Sequence, residues 1–163
     1  MKKIFIYGGI LFFITAGILL LNEQSEDGIF NEVKLFFTPD PMSHNTYENG
    51  ECTYYVFDRV RDDGNKIERR WHDAEKWAER AEADGYIVND APKTGSILQT
   101  EEGPIGHVAY VERINDDGSV EISEMNLREP YEITERIIEA DEIEDYNYIH
   151  PKENPHAEKY IEE

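Results

Sequence analysis

The chain contains one cysteine, Cys52, and the sequence after it supplies a histidine and two polar residues that suit nucleophilic catalysis. His107 lies in the segment Gly-His-Val-Ala-Tyr-Val-Glu, and Glu124 and Asn126 lie in the segment Ile-Ser-Glu-Met-Asn. A cysteine can supply an attacking thiolate and a histidine can take and return its proton, while a carboxylate or an amide holds the imidazole in one tautomer. These four residues are therefore candidates for a thiol hydrolase site.

The sequence around the cysteine predicts a helix that begins at or near Cys52, because Val56 and Val60 lie one turn apart. The sulfur would then face unpaired backbone N–H groups and the positive end of the helix dipole, which favours the thiolate. A second helix is predicted from about residue 73 to residue 83, with an apolar stripe that includes Trp77.

Period-two patterns bounded by turn residues predict strands at residues 95–99, 107–114, 120–125 and 146–149. An Asn-Asp-Asp-Gly loop joins the second to the third, which favours an antiparallel hairpin. We predict that Ile114 pairs with Ser119. This register sets His107 opposite Asn126 and places Glu124 on the diagonal, and it requires the Cys52 helix to pack across that face of the hairpin. Helices followed by an antiparallel sheet predict an α+β fold.

The N-terminal segment is typical of a membrane anchor. Lys2 and Lys3 precede an uncharged apolar run over residues 4–21, which is about the length that crosses a bilayer core. The positive-inside rule then places the rest of the chain outside the cytoplasm. No A-x-A-like pattern ends the run, so we predict an uncleaved, single-pass anchor in the cell membrane. The alternative is a cleaved signal peptide and a secreted domain.

The chain is strongly acidic, with 16 Lys and Arg residues against 36 Asp and Glu residues and a formal net charge of −20. Such a chain repels nucleic acid, so we predict no nucleic-acid partner. Four further histidines show no metal-ligand spacing with one another or with the cysteine, and we expect them at the surface. They are His44, His72, His150 and His156. We predict no metal and no cofactor.

We divide the chain into four segments: an anchor at residues 1–22, a linker at 23–46, a domain at 47–151 and an acidic tail at 152–163. The bounds of the domain, and its catalytic role, are those that the family resemblance given next implies. The apolar patch of the linker allows a short helix that packs either on the domain or on the membrane surface. The aromatic residues of the domain, Trp71 and Trp77 among them, are expected in the core, although Trp71 precedes the second helix and could line a cleft.

An ordered set of motifs resembles the CHAP domain (cysteine, histidine-dependent amidohydrolase/peptidase). The motifs are Gly50-Glu51-Cys52-Thr53-Tyr54-Tyr55-Val56, Trp71 with Ala74 and Trp77-Ala78, Gly85-Tyr86 with Val88, Pro92 with Gly95-Ser96-Ile97, Gly106-His107-Val108-Ala109-Tyr110-Val111 and Ile122-Ser123-Glu124-Met125-Asn126. The resemblance covers about Tyr47 to Pro151. It implies a papain-like α+β fold that cleaves amide bonds in peptidoglycan, either between N-acetylmuramic acid and L-alanine or within the stem and cross-bridge peptides.

The resemblance also implies a role for each candidate residue. Cys52 matches the nucleophile, His107 the general base and then acid, and Glu124 the group that orients the imidazole. Asn126 matches a further polar member of the site. The segment at residues 41–47 lacks the aspartate-rich calcium loop of some relatives, so the resemblance adds no metal. Two other functions stay open: a catalytically silent module that binds wall peptides or a membrane partner, and a lipid or isopeptide hydrolase on the same fold.

Overall fold

The computed structural model describes residues 28–161, which divide into two compact units after Pro39. The described part of the first unit is helix α1 (Gly28–Phe37), whose last turn is closed by a hydrogen bond from the Thr38 hydroxyl to the carbonyl of Lys34 at 2.8 Å. The predicted membrane anchor lies outside the described residues. Between residues 28 and 161, no helix combines the length and the apolar character that a membrane span needs.

The second unit begins at Asp40 and has an α+β architecture, as predicted. Its helices are α2 (Cys52–Asp62), α3 (Trp77–Ala83) and α4 (Glu158–Ile161), with 3-10 turns at Ala74–Lys76 and Ile143–Asp145. Its strands are β1 (Asn65–Lys66), β2 (Ile87–Asn89), β3 (Ile97–Thr100), β4 (His107–Ile114), β5 (Val120–Met125), β6 (Ile133–Ile138), β7 (Asn147–His150) and β8 (Lys152–Glu153). Strands β1 and β8 form one antiparallel sheet, and the other six form a second in the order β2-β7-β3-β4-β5-β6.

Helix α2 packs on the large sheet through an amphipathic face. Its buried apolar residues Val56, Phe57 and Val60 recur at helical spacing and join one core cluster with Val108 and Tyr110 of β4. The alternate β4 residues belong to a second cluster, on the other face of the sheet, with members Ala109, Val111 and Ile122. His107 lies two residues before Ala109 and is therefore on the same face of the sheet as this second cluster. The prediction that α2 packs across the His107 face is therefore wrong, because the apolar surface that fits the helix lies on the opposite face.

The two tryptophans lie in the core, as expected. Trp71 is 1% exposed and Trp77 is fully buried. Their rings meet nearly edge to face, with centroids 5.4 Å apart, and Tyr86 adds a second such contact to Trp71 at 5.1 Å. The indole nitrogen of Trp71 donates to the Asp84 carboxylate, so the buried ring has a partner for its polar atom.

The register of the β4–β5 hairpin differs from the prediction at the turn. Ile114 pairs with Val120, whereas Ser119 belongs to the turn itself. The Ser119 carbonyl accepts the N–H of Asn115 at 2.9 Å, and its own N–H donates to the Asp117 carboxylate at 3.0 Å. The turn thus uses one residue more than predicted, which is the reason for the wrong pairing of Ile114.

A β-bulge at Glu112 then restores the predicted register before the strands reach the site. Tyr110 pairs with Ser123, so the one-residue offset at the turn is cancelled by the extra residue in β4. The Glu112 carboxylate accepts a hydrogen bond from Arg59 of α2 at 2.7 Å and one from the Ser123 hydroxyl at 2.5 Å. These contacts hold the bulged residue against the helix.

The packed unit extends beyond residues 47–151 on both sides. Asp40 and Met42 are buried on the N-terminal side, and the Tyr160 hydroxyl donates to the Asp40 carboxylate at 2.7 Å. On the C-terminal side Asn154 is buried and His156 is only 8% exposed. The prediction that His156 lies at the surface is therefore wrong, since the segment that carries it folds back on the domain.

Gly106, immediately before β4, should be intolerant of a side chain. Its φ is +71°, and a Cβ atom would lie 2.6 Å from the Cα of Glu75 and 2.7 Å from the carbonyl oxygen of Thr100. Gly103 has a similar φ of +85°, but a Cβ there would meet nothing within 4 Å. Both alanine variants carry the backbone strain of about 1 kcal/mol, and Gly106→Ala adds about 2 kcal/mol of overpacking. The difference between the unfolding free energies of the two variants in urea denaturation therefore measures the overpacking at Gly106 alone. Equal unfolding free energies would contradict this close packing.

Candidate active site

Cys52 is the first residue of α2 and is 5% exposed. The first intrahelical bond is donated by Tyr55 to the carbonyl of Glu51 at 3.2 Å, so the N–H groups of the first turn, including that of Cys52, have no carbonyl partner within the helix. The thiol thus lies at the N-terminal end of α2, beside these unpaired N–H groups. The helix start predicted from the sequence is confirmed.

His107 is the first residue of β4, and its imidazole contacts the Glu124 carboxylate of β5. Nε2 of His107 lies 2.9 Å from Oε2 of Glu124, whose side chain is fully buried. The expected diagonal relation of the two residues is met, because the bulge returns the strands to the predicted register. Since Nε2 faces the carboxylate, Nδ1 is the ring nitrogen left for a second partner.

The Cys52 thiol is the second group that acts on this imidazole. Burial alone would lower the pKa of His107, but hydrogen bonds with Cys52 and Glu124 outweigh it and raise the pKa to about 9. Helix α2 packs on the other face of the sheet, but Cys52 and His107 are each the first residue of their element. The thiol can therefore act on the imidazole at the edge of the sheet. The result is an imidazole that is bonded to a buried carboxylate and whose pKa both Cys52 and Glu124 raise above neutrality.

Arg136 of β6 completes the surroundings of the carboxylate, and sequence reasoning missed it. Its Nε donates to Oε1 of Glu124 at 2.7 Å. Burial would raise the pKa of Glu124, but the bonds from His107 and Arg136 lower it overall, which keeps the carboxylate ionised. Strand β6 was not predicted because its exposed residues Ile133 and Ile137 are apolar, while Thr134 and Arg136 on the less exposed face are polar. Ile138 at the end of the strand is the buried apolar residue of that face.

Asn126 is directed toward the residue before the nucleophile. Its Nδ2 donates to Oε2 of Glu51 at 2.6 Å, and its own φ is +61°, in the left-handed region. The structure thus brings Glu124 to His107 and joins Asn126 to Glu51. Among residues 28–161, no three His, Cys, Asp or Glu side chains are grouped so that they could hold a metal ion.

The protonation of His107 gives a testable pH dependence. The imidazole signals of His107 should titrate with a midpoint near pH 9 in nuclear magnetic resonance spectra, because Cys52 and Glu124 both favour the imidazolium. The folded-state pKa lies above the unfolded value of 6.5, so this contribution to stability is full below 6.5 and is lost as the pH rises toward 9. Glu124→Gln should move the midpoint downward. A midpoint below 6.5 in the unmodified chain would contradict the assignment.

Removal of Arg136 should destabilise the fold, because the buried Glu124 carboxylate loses the bond at Oε1 and keeps His107 as its remaining cationic partner. We expect Arg136→Met to lower the unfolding free energy by about 2 kcal/mol at neutral pH, the scale of a lost hydrogen bond to a charged group. The loss should shrink as the pH falls from the unfolded-state value of 4.5, since Glu124 then becomes protonated. Arg113→Met is the matched control, because its pair with Glu121 is at the surface and is worth about 0.5 kcal/mol. Equal losses in urea denaturation would argue against a buried pair.

Comparison with known proteins identifies relatives of this site. The CHAP domain profile matches residues 42–126, which include all four candidate residues. The chain is 52% identical over 107 residues to a Staphylococcus aureus (strain NCTC 8325 / PS 47) protein described as "Probable autolysin SsaALP", a match that covers 65% of this chain and 40% of the relative. It is 51% identical over 107 residues to "Staphylococcal secretory antigen ssaA2" of Staphylococcus aureus strain MRSA252, a match that covers 65% of this chain and 39% of that protein.

The fold is also similar to a solved structure. A crystal structure of an N-acetylmuramoyl-L-alanine amidase from Staphylococcus aureus superposes with a TM-score of 0.65 and 35% sequence identity. The similarity covers 71% of this chain and 35% of that one. The chain therefore spans about 40% of the length of the curated relatives and about a third of the solved one. Arg136 lies beyond the residues that the CHAP domain profile matches.

Proposed function

The chain belongs to the CHAP domain family, and from this premise we propose that it is a cysteine-dependent peptidoglycan hydrolase that cleaves amide bonds. The observation that carries the proposal is the 2.9 Å bond of the His107 imidazole to the buried Glu124 carboxylate, together with Cys52 at the start of α2, which also raises the pKa of His107. A thiol, a base and an orienting acid in this order are the parts that acyl transfer needs.

The proposed reaction proceeds in two acyl transfers. The Cys52 thiolate attacks the amide carbonyl, while the N–H of Cys52 donates to the developing oxyanion. His107 then gives its proton to the leaving amine, and a thioester with Cys52 remains. In the second stage His107 takes a proton from water, which attacks the thioester and releases the carboxylic acid. Glu124 stays ionised and holds the imidazole through Nε2 in both stages.

The proposed substrate is the peptide part of peptidoglycan. The similarity to a solved N-acetylmuramoyl-L-alanine amidase supports the muramoyl amide as one scissile bond, and a bond within the stem or cross-bridge peptides is the other. Relatives described as an autolysin and a secretory antigen support an extracytoplasmic location. We propose that residues 4–21 anchor the catalytic domain at residues 47–151 to the membrane.

The bond class can be tested with purified peptidoglycan. Hydrolysis of an amide releases one new amino group, whereas hydrolysis of a glycosidic bond releases a reducing sugar end. We expect the full chain to release amino groups without reducing ends, and the Cys52→Ala variant to release neither. Reducing ends without amino groups would identify a glycosidase and overturn the proposal. Binding of the muropeptides without release of either product would instead identify a silent module.

A further inference from the structure

Glu51, immediately before the proposed nucleophile, has a carboxylate that does not serve the helix. It occupies the N-cap position of α2 with φ −96° and ψ 156°, but its side chain makes no capping hydrogen bond. Glutamate is also not among the residues favoured at this position, because shorter side chains reach the first-turn N–H groups better. The side chain turns instead to Asn126, whose Nδ2 donates to Oε2 at 2.6 Å. The carboxylate is thus held in place beside Cys52.

The negative charge of Glu51 has no cation beside it in the described part of the chain. None of the salt bridges among residues 28–161 includes Glu51, although Arg128 lies on the same segment as Asn126. Within the same range, Oε1 of Glu51 accepts no hydrogen bond, and the side chain is half-buried. A half-buried carboxylate with one neutral donor is incompletely compensated. Its free oxygen is available to a cation from outside the chain.

Tyr131 adds an exposed aromatic ring over Gly50, the residue before Glu51. Its N–H donates to the Gly50 carbonyl at 3.1 Å, and its ring covers Gly50 so closely that a Cβ atom there would lie 2.7 Å from it. The φ of Tyr131 is +68°, which is strained for a bulky residue, yet its side chain is 64% exposed. Strain of this kind is retained at functional sites, where the backbone must present a side chain in one place.

We propose that Glu51 and Tyr131 form a subsite for a positively charged amino group of the substrate, adjacent to Cys52. This inference rests on the proposed function, and it narrows the substrate to peptides that carry a free amine near the scissile amide. A carboxylate and the face of an aromatic ring together attract an ammonium group. The amine would also neutralise a charge that otherwise opposes the oxyanion forming at the N–H of Cys52.

The kinetic test compares a muropeptide that carries a lysine side-chain amine with its N-acetylated form. We expect the full chain to cleave the amine form at least about fivefold more efficiently, and the Glu51→Gln variant to cleave both forms equally. Glutamine keeps an acceptor for Asn126, so only the charge changes. Glu129→Gln, an exposed charge on the same segment, should keep the preference. Equal cleavage of both forms by the unmodified chain, or a preference that survives Glu51→Gln, would overturn the subsite.

A binding measurement tests the amine subsite independently of whether the chain cleaves amides. The Cys52→Ala variant should bind the amine form more tightly than the acetylated form in calorimetry, and Cys52→Ala with Glu51→Gln should bind both alike. This result stands even if no amide is cleaved by any variant. Tyr131→Ala should raise KM for the amine form with little change in kcat, while Tyr131→Phe, which keeps the ring, should retain the preference for the amine form over the acetylated form. Equal affinity of the Cys52→Ala variant for both forms would contradict the subsite.

Discussion

Replacement of Cys52 with alanine should lower the release of amino groups from peptidoglycan by at least about 1,000-fold. The thiol is the only one in the chain, so no neighbouring sulfur can substitute for it. Alanine fills less space than cysteine but leaves the N–H groups of the first α2 turn unchanged, so substrate binding should persist. The measurement is the initial rate of amine release by the full chain and by the Cys52→Ala variant at equal concentration.

The control for this prediction is the integrity of the fold. Cys52 is buried, so the variant needs a far-ultraviolet circular dichroism spectrum and a melting temperature to show that the domain is folded. A folded Cys52→Ala variant that retains a tenth or more of the original rate would exclude Cys52 as the nucleophile. The reaction would then require another group in the same cleft.

Replacement of His107 with alanine should reduce the rate nearly as much as loss of the thiol. The imidazole supplies the cation that accompanies the Cys52 thiolate and the proton that the leaving amine needs, so neither residue works without the other. We therefore expect the double variant Cys52→Ala/His107→Ala to be about as slow as either single variant, because members of one catalytic unit show strongly non-additive losses. Rates of amine release for the three variants test this expectation.

A multiplicative loss in the double variant would show that the two residues act separately. Glu124→Gln provides a graded comparison, since it keeps a hydrogen-bonding group near Nε2 of His107 but removes the charge that stabilises the imidazolium. Its rate should fall between those of the unmodified chain and His107→Ala. A rate below that of His107→Ala would instead point to a structural failure around the buried Glu124.

The parts of the site that local sequence could predict are those fixed by short-range patterns. The helix start at Cys52 follows from apolar spacing, and the common face of Glu124 and Asn126 follows from the two-residue alternation of a strand. The contact of His107 with Glu124 also depends on the bulge at Glu112, which restores the predicted register. These rules concern neighbours along one element or across one hairpin. The family resemblance implies a role for each of the four residues, and the variants described above test the roles of Cys52, His107 and Glu124.

The parts that were missed depend on tertiary contacts. The bulge at Glu112 is accompanied by an ion pair between Glu112 and Arg59 of α2, a helix far away in sequence. No sequence pattern within the hairpin reveals this contact. Arg136 lies on an edge strand whose exposed residues include Ile133 and Ile137, which is the reverse of the usual pattern. Its role depends on Glu124, whose side chain is fully buried. Helix α2 packs on the face of the sheet that carries Val108 and Tyr110, because these apolar residues form a core cluster with the apolar side of the helix. The position of the polar site does not determine this face.

The strained segment after β5 was equally hidden in the sequence. Asn126 and Tyr131 both have positive φ values, yet neither position carries a glycine that would have signalled the turn. Their contacts with Glu51 and Gly50 join this segment to the start of α2. Residues far apart in sequence thus meet beside Cys52, and only the folded chain shows which of them do.

The most direct test of the account is the alkylation of Cys52 followed alongside activity. Iodoacetamide adds one group to a thiolate, and the chain has one thiol, so intact-mass measurement gives the labelled fraction without ambiguity. We predict that amine release from peptidoglycan falls in proportion to that fraction and disappears when every chain carries one label. A fully labelled chain that still releases amino groups at the original rate would contradict the central claim that Cys52 is the nucleophile.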